Sequence, residues 1–109
     1  MVKQGDIIKI NFEPTKGSEQ SGYRPAVVVS NNAVISKTNI VLLCPITSKP
    51  KPGHLAVTLD ESTKTKGYVL CIHSRAVDLK VRPHRVVERL SQEKLNEILE
   101  VLVNIITPS

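Results

Sequence analysis

Apolar residues fall at helical intervals only once in this 109-residue chain, at its end. Leu95, Ile98, Leu99, Leu102, Ile105 and Ile106 recur every three or four positions, the period of an amphipathic helix. Ser91 can cap that helix, Glu93 lies in a first turn where an anion suits the dipole, and Pro108 ends it. Upstream, the apolar runs are shorter and are separated by Gly, Pro and Asn. Ile7 to Phe12 alternates, with Ile8, Ile10 and Phe12 on one face, and reads as a strand with one wet side. Pro25 opens a second run, Ala26 to Ser30, and Asn31-Asn32 begins a connection to a buried strand at Ile40 to Cys44. Pro45 cannot donate to a ladder, which puts it at a strand end or bulge. Further strands are expected at His54–Leu59, at Tyr68–Ile72, at Ser74–Val77 after a kink, and at Arg85–Arg89. Many short strands and one terminal helix make the fold mainly β, a small barrel closed or covered by that helix.

A chain of this length makes one domain, residues 1–109, able to bury about two thirds of its extended surface without a staple. No apolar run approaches the roughly 20 residues of a membrane span, and the start lacks the apolar stretch of a signal peptide. The expected location is therefore the cytoplasm. Cys44 and Cys71 sit in apolar runs and read as buried free thiols.

Fifteen Lys and Arg stand against ten Asp and Glu. An excess of this kind suits an anionic partner, either nucleic acid or an acidic protein segment. The imbalance is concentrated between Lys64 and Arg89, with seven basic residues against Asp78 and Glu88. From Glu93 to Glu100 there are three acids and one base, so the basic and acidic stretches belong to different surfaces. Phe12, Tyr23 and Tyr68 are the only aromatic residues, which counts against binders that stack successive bases on an aromatic sheet. His54, His73 and His84 show no metal-ligand spacing, so no metal or other cofactor is expected, and phosphate-cradling Gly loops and nucleophile elbows are absent.

Three segments carry candidate chemistry. The loop from Glu13 to Pro25 concentrates Lys16, Ser18, Glu19, Gln20 and Arg24 between two strands. Arg24 stands out because Pro25 biases it to extended backbone at the start of a rigid element. A guanidinium held there presents a planar fork suited to phosphate. Thr47, Ser48 and Lys49 follow a buried strand and Pro45, and fall at the rim of the same groove if the second and third strands are neighbours. His73, Arg75 and Asp78 form the third segment; Arg75 and Asp78 fit either an ion pair or a phosphate contact.

Together these segments resemble the MazF/PemK family of toxin endoribonucleases. The resemblance is carried by Gly5-Asp6-Ile7-Ile8 leading to Phe12-Glu13-Pro14-Thr15-Lys16-Gly17-Ser18-Glu19-Gln20, then by Gly22-Tyr23-Arg24-Pro25-Ala26-Val27-Val28-Val29-Ser30. Pro45-Ile46-Thr47-Ser48 and Arg75-Ala76-Val77-Asp78 follow in the family's order. The resemblance implies an SH3-like barrel of the plasmid-maintenance toxin type, a homodimer, and a metal-independent endoribonuclease acting on single-stranded RNA. The 2′-hydroxyl would attack the adjacent phosphorus, leaving a 2′,3′-cyclic phosphate and a 5′-hydroxyl. An acidic MazE-like antitoxin would block the groove, and the complex with antitoxin would bind DNA. Arg24 matches the family arginine implied in phosphate stabilisation and proton transfer. Thr47 matches the threonine that hydrogen-bonds the scissile phosphate or the attacking hydroxyl. Glu19 is an alternative base. Lys16, Ser18, Gln20, Ser48, Lys49, His73 and Arg75 would contact RNA. This chain departs from the family where some members carry a catalytic Arg and Asp: Leu70 and Ile72 stand there, with His73 in place of a common Gln. Two other functions fit the same fold: a non-enzymatic toxin that traps gyrase, and an RNA-binding module without activity.

Overall fold

The computed structural model describes residues 1–12, 22–49, 53 and 55–109. Its strands are β1 (Asp6–Asn11), β2 (Tyr23–Val28), β3 (Ile40–Thr47), β4 (Ala56–Thr58), β5 (Tyr68–Leu70), β6 (Arg75–Asp78) and β7 (His84–Arg89). A short helix α1 (Asn32–Thr38) lies between β2 and β3, and α2 (Gln92–Ile106) closes the chain. All the strand pairs are antiparallel, in the order β4-β5-β3-β2-β1-β7, with β6 also on β3. The fold is thus mainly β with a C-terminal helix, as the sequence implies.

β3 is the hub. One edge pairs with β2; the other is shared, Ile40–Leu43 pairing with β6 and Ile46–Thr47 with β5. Pro45 sits inside this strand rather than at its end or at a bulge. The Val29 amide donates to the Leu42 carbonyl at 2.9 Å, so by the period of two Leu42 and Cys44 turn their main-chain groups toward β2. Pro45 faces the opposite edge, in the gap where β6 has ended and β5 has not begun. Its missing N–H therefore breaks no ladder bond.

The strands bury residues on both faces. One face carries Ile7, Val27, Cys44, Ile46 and Val69, and α2 lies over it with Leu95 and the fully buried Ile98. The other carries Ile8, Ile10, Ala26, Val28, Val41, Leu43 and Val77, and α1 covers it with Ile35. The helical period of α2 is thus the imprint of one sheet face. Gly5 (φ +93°) brings the chain close to that helix, where a Cβ would lie 3.3 Å from Leu95 Cδ2. Asp6 then accepts from the Lys3 amide at 2.8 Å and pairs with Arg89 at 3.3 Å.

β4 and β7 end the strand order without pairing to each other, and a side chain bridges the opening. The Glu88 carboxylate accepts from the Lys64 and Thr65 amides (3.0 and 2.7 Å) and from Thr65 Oγ1 (2.6 Å). Burial raises its pKa, but these hydrogen bonds outweigh burial and hold the carboxyl below its ordinary range.

Three sequence expectations are corrected. The connection after Asn31 contains a helix, capped by Asn31 Oδ1 on the Val34 amide at 2.9 Å and closed by Asn39 in the left-handed region. It buries only Ile35, so it has no apolar period to read. The strand expected through Ile72 ends at Leu70 and turns through a 3₁₀ segment, Cys71–His73. The strand expected over His54–Leu59 is ordered as Ala56–Thr58 only, and His54 lies outside the described residues. Cys44 and Cys71 are buried free thiols. The neighbouring Cys71 thiol, with burial, holds Cys44 well above the ordinary thiol range. Among the described residues no helix is long and apolar enough to cross a membrane.

Candidate active site

The second sheet face runs past its core into a cleft. Its inward residues are Ile8 and Ile10 on β1, Ala26 and Val28 on β2, Val41 and Leu43 on β3, and Val77 on β6. Two residues further along each strand, the same parity gives Phe12, Arg24, Pro45 and then Thr47, and Arg75. The period that builds the core thus brings the candidate groups to one face. A cleft of about 270 Å³ is lined by Phe12, Gly22, Arg24, Pro45, Ile46, Thr47 and Leu70.

Arg24 is exposed near the start of β2, opposite Ile10 on β1. Pro25 follows it, and Ala26 pairs with Pro45 of β3. The backbone beneath the guanidinium is therefore fixed by two neighbours. Thr47 ends β3. Its Oγ1 accepts the Lys49 amide at 3.1 Å, which leaves the hydroxyl proton to be donated elsewhere. Thr47 is opposite Tyr68 in β5, and Gly67 lies against its carbonyl. Gly67 has φ +127°, and a Cβ there would overlap the Thr47 carbonyl oxygen. A glycine is thus part of how the hydroxyl is placed.

Arg82 clamps the rim, its Nη1 donating to the carbonyls of Asn11 (3.2 Å) and Phe12 (2.5 Å). Phe12 is also covered by Arg75, whose guanidinium carbon lies 5.0 Å from the ring centroid. Ser48 and Lys49 are exposed immediately beyond β3, next to Thr47. His73 is exposed at the end of the 3₁₀ turn and does not line the cleft. Lys16, Ser18, Glu19 and Gln20 lie outside the described residues.

Phe12, Gly22, Gly67 and Leu70 were not singled out as site residues by the sequence. Phe12 was legible as the last inward residue of an alternating strand. Gly67 carries no signal beyond a turn, because its role depends on a contact with a residue 20 positions away. Leu70 does line the cleft, whereas Ile72 is 52% exposed.

The arrangement has two polar side chains, a guanidinium and a hydroxyl, in a cleft otherwise walled by apolar groups and proline. No carboxylate is among the described residues that line it. Such a site suits an anion: the guanidinium offers charge, the hydroxyl donates, and apolar walls reduce screening by water. Among the described residues no three or more His, Cys, Asp and Glu side chains gather as metal ligands would.

Comparison with known proteins places the family and the fold. A family model described as a PemK-like, MazF-like toxin of type II toxin-antitoxin systems matches residues 3–106. Endoribonuclease PemK of Escherichia coli is 33% identical over 110 residues, covering 97% of this chain and 83% of the relative. Endoribonuclease toxin MazF of Escherichia coli strain K12 is 31% identical over 102 residues, covering 94% and 90%. A crystal structure of MazE-MazF from Deinococcus radiodurans superposes with a TM-score of 0.86 at 30% identity, covering 99% of this chain and 98% of that one. With the family model spanning nearly all of its length, the chain belongs to the PemK-like, MazF-like toxins of type II toxin-antitoxin systems.

Proposed function

We propose that this protein is the toxin of a toxin–antitoxin pair and an endoribonuclease whose chemistry is centred on Arg24 and Thr47. The observation that carries the reading is that these two residues, from different strands and 23 positions apart, line one cleft. Cleavage of single-stranded RNA by its own 2′-hydroxyl needs three things: removal of the 2′-OH proton, stabilisation of the charge on the pentacoordinate phosphorus, and a proton for the leaving 5′-oxygen. Arg24 stabilises the phosphorane oxygens through charge-assisted hydrogen bonds. Thr47, its oxygen already accepting from Lys49, donates to a non-bridging oxygen. Bond formation between O2′ and phosphorus expels O5′, which takes a proton from solvent, leaving a 2′,3′-cyclic phosphate and a 5′-hydroxyl. Glu19 remains a candidate for taking the 2′-OH proton, and Lys16, Ser18 and Gln20 for contacting RNA. Ser48, Lys49 and Arg75 flank the cleft as RNA contacts, and His73 is placed to meet RNA outside it. With Leu70 and Ile72 in this chain, no carboxylate from the β5–β6 connection enters the mechanism.

The inhibitor is a MazE-like antitoxin with acidic groups that compete for the Arg24 anion site, both proteins acting in the cytoplasm. A second copy of this chain covers the apolar side chains left exposed on β3 and the 3₁₀ turn, Ile40, Leu42 and Ile72. The test is incubation of the purified protein with a long single-stranded RNA in EDTA, with the ends mapped. Cyclic phosphate and 5′-hydroxyl ends that disappear with Arg24→Ala in a folded protein support the reading. Removal of one such electrostatic donor lowers the rate by about 10²–10³. Intact RNA with blocked DNA supercoiling would make the protein a gyrase trap, and salt-sensitive RNA binding without cuts an inactive binding module.

A further inference from the structure

A further cavity lies on the sheet face opposite the Arg24 cleft. It has a volume of about 580 Å³ and is lined by Lys9, Tyr23, Pro83, His84 and Arg85. A second hollow of about 400 Å³ shares Lys9 with it and reaches Lys64, Pro25 and Val87, so the two form one groove across β2, β1 and β7. Register explains the lining. Lys9 pairs with Pro25 on one side and with Arg85 on the other, and Tyr23 stands one pair along, opposite Asn11.

Lys9 and Arg85 are therefore two cations in direct cross-strand register, an arrangement that destabilises a sheet. Three other cations of the basic region are occupied. Arg89 pairs with Asp6, Lys66 donates to the carbonyls of Asp60 and Thr63, and Arg82 holds the end of β1. Lys9 and Arg85 form no ion pair with a described carboxylate. Glu88, the one acid among the described residues of the groove, has its oxygens on Lys64 and Thr65. The His84 ring is fixed by its Nδ1–H donating to the Arg82 carbonyl at 2.8 Å and forms a wall.

We infer that this groove is a second RNA-binding surface, in which Lys9 and Arg85 take backbone phosphates and the Tyr23 ring stacks on a base. The inference rests on the endoribonuclease reading above and extends its substrate beyond the cleft. Tyr23 and Arg24 are consecutive on β2 and project to opposite faces, so an RNA strand with its scissile phosphate at Arg24 continues around the start of β2 onto Tyr23. The occupant is RNA rather than an acidic peptide because the larger hollow offers two cations and the flat face of Tyr23. Bound peptides are anchored by branched or aromatic side chains in apolar pockets, which that hollow lacks.

The test compares the wild type with Lys9→Ser/Arg85→Ser on two RNAs sharing one cleavage site, a minimal oligonucleotide and one extended by about a dozen nucleotides on each side. Minimal-substrate cleavage stays unchanged, while KM for the extended RNA rises several-fold at unchanged kcat. The slope of log affinity against log salt falls by about 1.4 for two lost contacts to a single strand. The charge-keeping Lys9→Arg/Arg85→Lys protein retains wild-type behaviour. If its double-serine counterpart treats the two RNAs as the wild type does, the inference is wrong. Weakened binding of a poly-glutamate peptide with unchanged RNA affinity would also overturn it, by making the groove a peptide site. Failure of the underlying reading looks different: the wild type itself then cuts neither RNA.

Discussion

Gly67→Ala separates backbone strain from active-site geometry. Gly67 has φ +127°, where an L-residue is strained, and its Cα lies so close to Thr47 that an added Cβ would overlap the Thr47 carbonyl oxygen. The strain costs about 1–3 kcal/mol and displacement of the neighbouring strand about 1 kcal/mol or more, together about 2–4 kcal/mol. For a chain of this length the unfolding entropy is about 0.23 kcal/mol/K, so Tm falls by about 9–17 °C. Gly53→Ala is the control. Gly53 also has a positive φ, +103°, but nothing among the described residues lies within 4 Å of where its Cβ would be, so it loses only the strain contribution. Thermal unfolding of both variants beside the wild type, with RNA cleavage assayed well below each Tm, isolates the contact. Gly67→Ala loses more stability than Gly53→Ala and alone loses cleavage while still folded, because Thr47 has been moved. Equal Tm losses with intact cleavage in both would refute the argument that Gly67 places the hydroxyl.

Thr47→Val keeps the shape of the side chain and removes its donor, so kcat falls by about 10²–10³. Thr47→Ser keeps the hydroxyl and most of the rate, and a rapid-quench cleavage assay distinguishes the two. The folded-state pKa of Glu88 is depressed below its ordinary 4.5, so the stability Glu88 contributes is present above that value. It is lost as the pH falls through the depressed pKa. Urea midpoints of wild type and Glu88→Gln therefore differ at pH 7 and converge in acid; a gap independent of pH would contradict the bridging role. Ile98 is completely buried under the α2 face, so Ile98→Ala lowers the unfolding free energy by about 2–5 kcal/mol in urea titration.

The strands and α2 were legible because each buries one apolar stripe, and a stripe of period two or three to four survives in a linear string. The short helix after Asn31 was not, because one buried Ile35 defines no period and its main support is a capping Asn. Pro45 misled for a related reason. A proline disturbs only the edge its nitrogen faces, and a sequence does not say that β3 changes partners at that point. Of the cleft residues, Arg24 and Thr47 were legible from their neighbours Pro25 and Pro45, whereas Arg75, outside the lining, was a candidate RNA contact through the family resemblance. The expectation that His73 shares that surface meets a turn that leaves it outside the cleft.

The order of residues determined this protein's kind: which positions are apolar, at what period, and which reactive side chains sit beside rigid prolines. These are local properties, set by side-chain chemistry and by the backbone freedom of a few neighbours. Tertiary structure decided the rest. It brought residue 24 beside residue 47, set Gly67 against the carbonyl of Thr47, put Arg75 over Phe12, and placed Lys9 in register with Arg85. Each of these depends on strand register. Register is fixed only when both sheet faces bury their apolar sets at once, a condition on the whole chain that no single segment contains.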